Sequence, residues 1–414
     1  MATVKKDALY GIIDQGLISL SNLGIGFLLI KLTSKESYGL YGIGFAAILL
    51  CVGVANALVT TQMTVFAPEK PDKVKYCCTM LLGQYFIFVP LWMIFTAISF
   101  AGFYLNLIAE DILTYALVLS GTVMAAIFHE FMRRYFYIAL KPYRVLQIDI
   151  IFVTVVFSSL FLAVIYKLNI SHITAIIIYG AAALTAGLIG LMLAKLLQKV
   201  KLAEITGSIK EAWSHGQWAL GGVIVTWLQS QSYVALLSIL ATTSSIAEAN
   251  AARLLLAPVG IISTSLGQVF IPRLAMLRND GKHDAVIAMT QKILLLIGAL
   301  ICLIVLIVYL LKDYIIGNFF PKDYAGIETL VFLWALVYLA QAVRSNATLL
   351  LQVYKKFRII TVCNFFTAVL TFLMGYILIP IHGIAGSIQS LALGELLLAL
   401  FLWRAFNAYK NNWG

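Results

Sequence analysis

Apolar residues in this chain gather into runs of about twenty, separated by short polar or charged connectors. A run of that length crosses about 30 Å of hydrocarbon at 1.5 Å per residue, so each predicts a membrane-spanning helix. About twelve are readable, over residues 10–31, 38–61, 78–101, 113–134, 147–167, 173–195, 215–240, 248–271, 291–311, 327–352, 358–380 and 383–404. Inside several of them polar residues recur at spacings of three and four. That spacing puts them on one helix face, turned to protein or to a water-filled cavity and away from lipid. In span 1 the stripe is Gly11, Gln15, Ser19, Asn22 and Gly26, with Asp14 beside it. In span 10 it is Trp334, Tyr338, Gln341, Ser345, Thr348 and Gln352, with Arg344 on its edge. Span 7 carries Thr226, Gln229 and Tyr233 on one side and Gln231 on another. Small residues at membrane helix contacts explain any one of these positions by packing. A continuous stripe that ends in an arginine points further, to a lined cavity.

Composition makes lipid the solvent. Hydrophobic residues are 62% and charged residues 11% of the 414, against roughly 45–50% and about 25% in soluble domains. With an inside N-terminus, about 22 of the 29 lysines and arginines fall in inside segments. Among them are Lys70, Lys73, Lys75, Arg133, Arg134, Lys141, Arg144 and Lys355. The predicted orientation therefore has both termini cytoplasmic, and the net charge of +11 is a topology signal, with no nucleic-acid partner implied. MATVKKDALYG leads into a full-length first span without a cleavage pattern, which predicts an uncleaved start-transfer helix. The five cysteines lie in spans or at their edges and read as packing residues, with no disulfide and no metal site expected.

The spans divide into two sets of six. ALKPYRVLQIDIIFVTVV (139–156) lies without a gap over VYKKFRIITVCNFFTAVL (353–370), matching Lys141 to Lys355 and Arg144 to Arg358, and VFAP (65–68) echoes VFIP (269–272). An even number of spans per repeat makes the halves parallel, related by a pseudo-two-fold along the membrane normal. The expected domains are an N-terminal lobe, 1–205, and a C-terminal lobe, 206–414, joined through a basic interfacial segment at 196–213.

Arg344 lies eleven residues before Lys355, roughly 16 Å along a helix and near mid-membrane. Placing it there costs on the order of 2.5–3.5 kcal/mol, so it needs a partner or water. The repeat offset carries Arg344 back onto Glu130, which predicts either a fixed ion pair between the two or an anion site left open to substrate. Asp14, Asp149 and Glu395 are candidates for a coupling proton or sodium ion, and equally for local hydrogen bonding. His129 is a weaker candidate for a proton relay. Arg253 and Glu248, at the start of span 8, fall near the outer rim.

DQGLISLSN (14–22), ESYGLYG (36–42), HEFMRRYFY (129–137), AARLLLAP (251–258) and VFIPRLA (269–275) carry a resemblance that covers all twelve spans. The chain resembles polysaccharide flippases of the Wzx/PST type, in the multidrug/oligosaccharidyl-lipid/polysaccharide (MOP) exporter superfamily. The resemblance implies an all-α integral membrane fold of two six-helix lobes around a MATE-like V-shaped cavity. It implies alternating-access translocation of an undecaprenyl-diphosphate-linked oligosaccharide, a precursor of O-antigen, capsule or exopolysaccharide, from the inner to the outer leaflet of a bacterial cytoplasmic membrane. A polysaccharide polymerase and a chain-length regulator are then candidate partners, beside membrane lipids. No cofactor is implied beyond a coupling proton or sodium ion.

Under that reading a guanidinium suits a diphosphate, because it forms paired, charge-assisted hydrogen bonds. Arg344 and Arg253 are the candidates. Gln341, Ser345, Asn346, Asn22, Gln15 and Gln229 suit sugar hydroxyls, and Tyr338 with Trp334 could stack on pyranose faces. Arg133 and Arg134 would meet the head group at the cytoplasmic entrance, or serve as topology determinants alone. Glu130, Asp14 and Glu395 are the ion-pair or coupling candidates. A drug exporter of the same superfamily would favour an acidic cavity. Such exporters usually show a proline in the first span and an early acidic-glycine pattern, neither of which is present. Peptidoglycan-precursor flippases resemble longer chains with more spans. A polymerase or glycosyltransferase would need a carboxylate pair or base on a large outer loop, whereas 102–112 and 312–326 are short.

Overall fold

The structure, a computed structural model, describes residues 2–260, 270, 274, 276–311, 314, 318, 320, 324, 327–354 and 356–410. Almost all of them are helical. In chain order the helices are α1 (Ala2–Leu32), α2 (Lys35–Ala55), α3 (Thr61–Phe66), α4 (Lys73–Tyr104), α5 (Glu110–Ile138), α6 (Pro142–Ile165), α7 (His172–Ala194), α8 (Leu202–Leu240), α9 (Thr243–Leu255), α10 (His283–Leu310), α11 (Ile327–Val353), α12 (Phe357–His382) and α13 (Ile384–Lys410). A π-helical turn, Asn56–Thr60, makes α2 and α3 nearly continuous, closed by a hydrogen bond from Thr60 Oγ1 to Asn56 Oδ1 at 2.5 Å. Eleven helices among the described residues are long and apolar enough to cross a membrane. The expected span 248–271 is represented by α9; its part from 261 to 269, the VFIP motif apart from Phe270, and most of the outer loop 312–326 lie outside the described residues.

Short polar residues start the helices where the pattern turns apolar. Asp72, Ser171 and Thr242 each accept a hydrogen bond from a backbone N–H three residues on, satisfying donors that the first helical turn leaves open. Between α12 and α13 the chain reverses on Gly383, whose φ of 58° is the region that favours glycine. The segment 196–213 differs from the expected separate connector. Its second half is the beginning of α8, a continuous helix of 39 residues. No proline interrupts 202–240, and this first stretch is tied down by Lys70–Glu211 and Lys75–Glu204 ion pairs of 2.8 and 2.6 Å.

The chain forms two compact units, one of residues 1–22 with 44–224, the other of 23–43 with 225–414. Within the first, α7 packs along α5 and α6; within the second, α13 packs along α11 and α12. The helix ends follow the same offset as the sequence repeat. Ile138 and Pro142 fall on Gln352 and Lys356, one residue short of the end of α11 and the start of α12. Small residues make the crossings close in both units. A Cβ on Gly180 would lie 2.5 Å from Thr122 Oγ1, and one on Gly394 would overlap the Thr371 side chain.

Candidate functional site

The second unit carries the polar stripe of α11. Arg344 Nε lies 2.6 Å from Glu395 Oε2 on α13, and Gln341, one turn earlier, donates to the other oxygen of the same carboxylate at 3.3 Å. Glu395 is 1% exposed, so the carboxylate end of the pair is shut away between the helices while Arg344 keeps an open side. What it faces is a cavity of about 250 Å³, lined by Tyr338, Gln341, Arg344, Ser345 and Asn346 of α11 and closed by apolar residues of α10. Asn346 is held by its own bond to the Thr290 carbonyl and locks α11 to α10. Five of the predicted substrate residues, Tyr338, Gln341, Arg344, Ser345 and Asn346, are thus brought together.

The counter-charge of Arg344 differs from the expected one. Glu130 lies in the first unit and accepts from Arg133 and Arg134 there. An offset between repeats equates positions without making them touch. Glu395 lies on the helix that packs along α11, and the residue that the offset pairs with it is Ala181, so the first unit has no matching carboxylate.

A second guanidinium stands near. Arg253 of α9 donates to Tyr233 Oη of α8 at 2.7 Å, and that hydroxyl donates to Asn250 Oδ1 at 2.6 Å. The guanidinium lies 5.8 Å from the ring centroids of both Tyr233 and Trp334, within cation–π range. Among the described residues no carboxylate pairs with it, because Glu248 one turn away is taken by Lys35. Arg253 thus has an aromatic setting that its place at the start of span 8 does not disclose. Trp334 is 2% exposed and donates to the Ala249 carbonyl at 2.9 Å, which removes it from the residues able to stack on a sugar. Tyr338 lies 6.3 Å from Trp334 and lines the Arg344 cavity, so it bridges the two arginine environments. Gln229 is buried, and neither atom of its amide has a partner among the described residues. An unsatisfied buried amide of this kind calls for water or a ligand.

The first unit holds the remaining candidates. Arg133 of α5 donates to Asp149 of α6 at 2.8 Å, to Glu130 at 2.9 Å and to Asp14 of α1 at 3.0 Å. Tyr137 adds a bond to Asp14 at 3.0 Å, and His129 Nε2 lies 2.9 Å from Asp149. Asp14 and Asp149 are fully buried. This corrects the reading of Arg133 as an entrance residue: three carboxylates occupy its donors, and it ties α1, α5 and α6 together. Arg134, with a side chain 48% exposed and one bond to Glu130, keeps its outer face available. Gln15 contacts Ser19 at 3.5 Å along α1, while Asn22 is exposed. The sequence named the members of the Arg133 cluster singly and missed its convergence. The signal was there in three ionisable positions, Asp14, Arg133 and Asp149, each within about one turn of the same predicted, cytoplasmic end of its span.

Solved structures of similar shape cover nearly the whole chain. A lipid II flippase MurJ in an inward closed conformation matches with a TM-score of 0.70 and 15% identity, over 97% of this chain and 87% of that one. An inward-facing multidrug resistance MATE family transporter of the MOP superfamily matches with a TM-score of 0.69 and 14% identity, over 97% and 96%. A MOP superfamily transporter from Pyrococcus furiosus, described as having a binding pocket of reverse polarity, matches with a TM-score of 0.66 and 14% identity, over 98% and 95%. No curated protein matches the sequence. The fold is that of MOP superfamily transporters. The profile of the family described as lipid II flippase MurJ matches residues 107–410, and the chain belongs to that family. Membership restores the peptidoglycan-precursor flippases, which the sequence reading had set aside, as the family itself. It also makes the chain a multi-pass membrane protein of a flippase family and not of an enzyme family.

Proposed function

We propose that this protein flips an undecaprenyl-diphosphate-linked oligosaccharide, a precursor of surface polysaccharide, across the bacterial cytoplasmic membrane by alternating access of two parallel six-helix lobes. The observation that carries the reading is the excess positive charge of the second unit. Arg344 is balanced by Glu395, but among the described residues Arg253 has no carboxylate partner and meets the Tyr233 hydroxyl and two aromatic faces. A half-buried cation without a counter-ion carries a desolvation cost that a bound anion relieves. A diphosphate fits, since guanidinium binds its oxygens in pairs. Gln341 and Ser345 beside Arg344 suit the first sugar, and Tyr338 offers it an aromatic face. A cationic drug would meet repulsion at the same place, which argues against the drug-exporter alternative.

The family match favours a second reading, in which the cargo is lipid II itself. The two share the polyprenyl diphosphate and differ in the glycan. Proteoliposomes loaded in parallel with lipid II and with an undecaprenyl-diphosphate-linked oligosaccharide separate them, with translocation read from the glycan newly exposed on the far leaflet. Preference for the oligosaccharide supports the proposal; preference for lipid II replaces it with the second reading. Transport of neither, with drug efflux present, defeats both.

A further inference from the structure

A larger cavity, of about 830 Å³, adjoins the arginine cavity in the second unit. Leu294 and Ala342 belong to the walls of both. Where the smaller one is edged by Arg344, Gln341 and Ser345, the larger is apolar, set between α10, α11 and α13 with leucines along its length. Its one amide, Gln389, is already paired with His382 Nδ1 at 2.7 Å. Leu295, Leu336, Leu393 and Leu396 stand exposed at its rim, so the groove is open along the side of the bundle. Gly298, Ala299, Ala340 and Ala392 give its wall small residues in place of leucine knobs, and a Cβ on Gly298 would meet nothing within 4 Å.

We infer that this groove holds the polyisoprenyl tail of the substrate while Arg344 holds its diphosphate. The inference rests on the proposed reading of the arginine site. A polyprenyl diphosphate has its charge bonded directly to its first isoprene unit, so a tail site must begin where the anion site ends. Leu294 and Ala342, common to both walls, place the groove and the anion site side by side at that point. A tail gains no hydrophobic free energy on leaving lipid for an apolar wall, because lipid is equally apolar. What the groove supplies is shape: close dispersion contact and a fixed direction for the chain relative to the cation. Small residues between leucines make dents that accept the methyl branch carried by every isoprene unit, which a straight acyl chain lacks. Since a cavity of about 150 Å³ accepts a benzene ring, this one has room for about five groups of that size.

Two experiments on the full-length protein in proteoliposomes test this. In the first, Gly298→Trp fills the groove from a position whose side chain meets open space, with Gly298→Ala as the control. Translocation of an undecaprenyl-diphosphate-linked disaccharide is expected to fall about tenfold in Gly298→Trp, while the same disaccharide on a two-isoprene diphosphate, too short to need the groove, is moved at the parental rate. Equal rates for parent and variant on the long-chain substrate overturn the inference. In the second, the parent is photolabelled with the long-chain substrate carrying a diazirine in its tail. Labelled peptides from α10 and α13, lost on competition with unlabelled substrate, support the groove even if Gly298→Trp fails to fold. Equal labelling by a diazirine phospholipid, unchanged by that competition, shows a groove filled by bulk acyl chains and overturns it. A parent that moves neither long nor short substrate defeats the diphosphate reading instead, so the two failures are distinguishable.

Discussion

Arg344 of α11 and Glu395 of α13 form an ion pair 2.6 Å long at the edge of a polar cavity, the carboxylate buried and the guanidinium side chain 26% exposed. Such a pair can brace two helices, present a cation to a ligand, or do both. Removing one member leaves the other charge buried and unpaired, which costs about 3–5 kcal/mol, whereas removing both together costs far less. Arg344→Ala is therefore expected to lower the thermal midpoint in detergent and to abolish transport. The double change Arg344→Met with Glu395→Gln is expected to return most of the stability. If Arg344 binds the diphosphate, transport stays lost in the double variant. Recovery of transport along with stability would show that the arginine is a brace only.

Arg253 gives the converse case. Its partners among the described residues are the Tyr233 hydroxyl and two aromatic rings, all neutral, so Arg253→Gln strands no buried carboxylate there. The expected change in stability is about 1.5–3 kcal/mol, the net worth of one hydrogen bond from a charged group. Flipping of a lipid-linked diphosphate is expected to fall by at least about tenfold, with Arg253→Lys between the two because it keeps the charge and loses the paired donor geometry. The check is an initial rate in proteoliposomes beside a melting curve of the same preparation. A stable Arg253→Gln protein with parental rates would remove Arg253 from the site.

These two arginines mark how far the sequence carries. The helices were readable because each apolar run has the length that lipid demands, and the stripe on α11 was readable because helical spacing places Tyr338, Gln341 and Ser345 on one face. Arg344 followed from the same spacing, which sets it on the edge of that stripe. Its partner did not follow, because helical periodicity says which face a residue occupies and nothing about which helix packs there. The repeat pointed to Glu130, whereas packing chose Glu395. In the same way Trp334 shares the stripe, but a bond to the Ala249 carbonyl turns it into a packing residue. Arg253 was named and its aromatic surroundings were not, since Tyr233 and Trp334 come from helices far apart in sequence.

The first unit offers a comparison between adjacent arginines. Arg133 meets Asp14, Glu130 and Asp149, two of them fully buried, while Arg134 meets Glu130 alone with a side chain 48% exposed. Arg133→Met leaves a cluster of carboxylates without their shared cation and is expected to cost about 3–5 kcal/mol or to prevent accumulation of folded protein. Arg134→Met is expected to cost no more than about 1 kcal/mol, the range of a surface pair. Thermal midpoints of the two purified variants decide the matter. Equal loss would mean that the Arg133 cluster contributes no more than a surface ion pair.

The first turns of α8 answer to pH. Glu204 lies outside the membrane span of its helix, which begins at Ala219. Its hydrogen bond from the Lys75 ammonium, and then the one from the backbone N–H of Lys201, hold its carboxyl below the ordinary range. A carboxyl lowered by folding contributes stability that is fully present above its unfolded pKa and is lost as pH falls through the lowered folded value. The stretch 202–213 is therefore expected to be anchored at neutral pH and to loosen on the acid side of that value, while Glu204→Gln is already loosened at neutral pH and responds much less. Hydrogen exchange of peptides covering 202–213, corrected for the intrinsic pH dependence of exchange, reads this directly, with a few-fold loss of protection expected in the acidified parent. Protection that is the same in parent and variant at neutral pH would show that the Glu211–Lys70 pair, 2.8 Å long, anchors this stretch without Glu204.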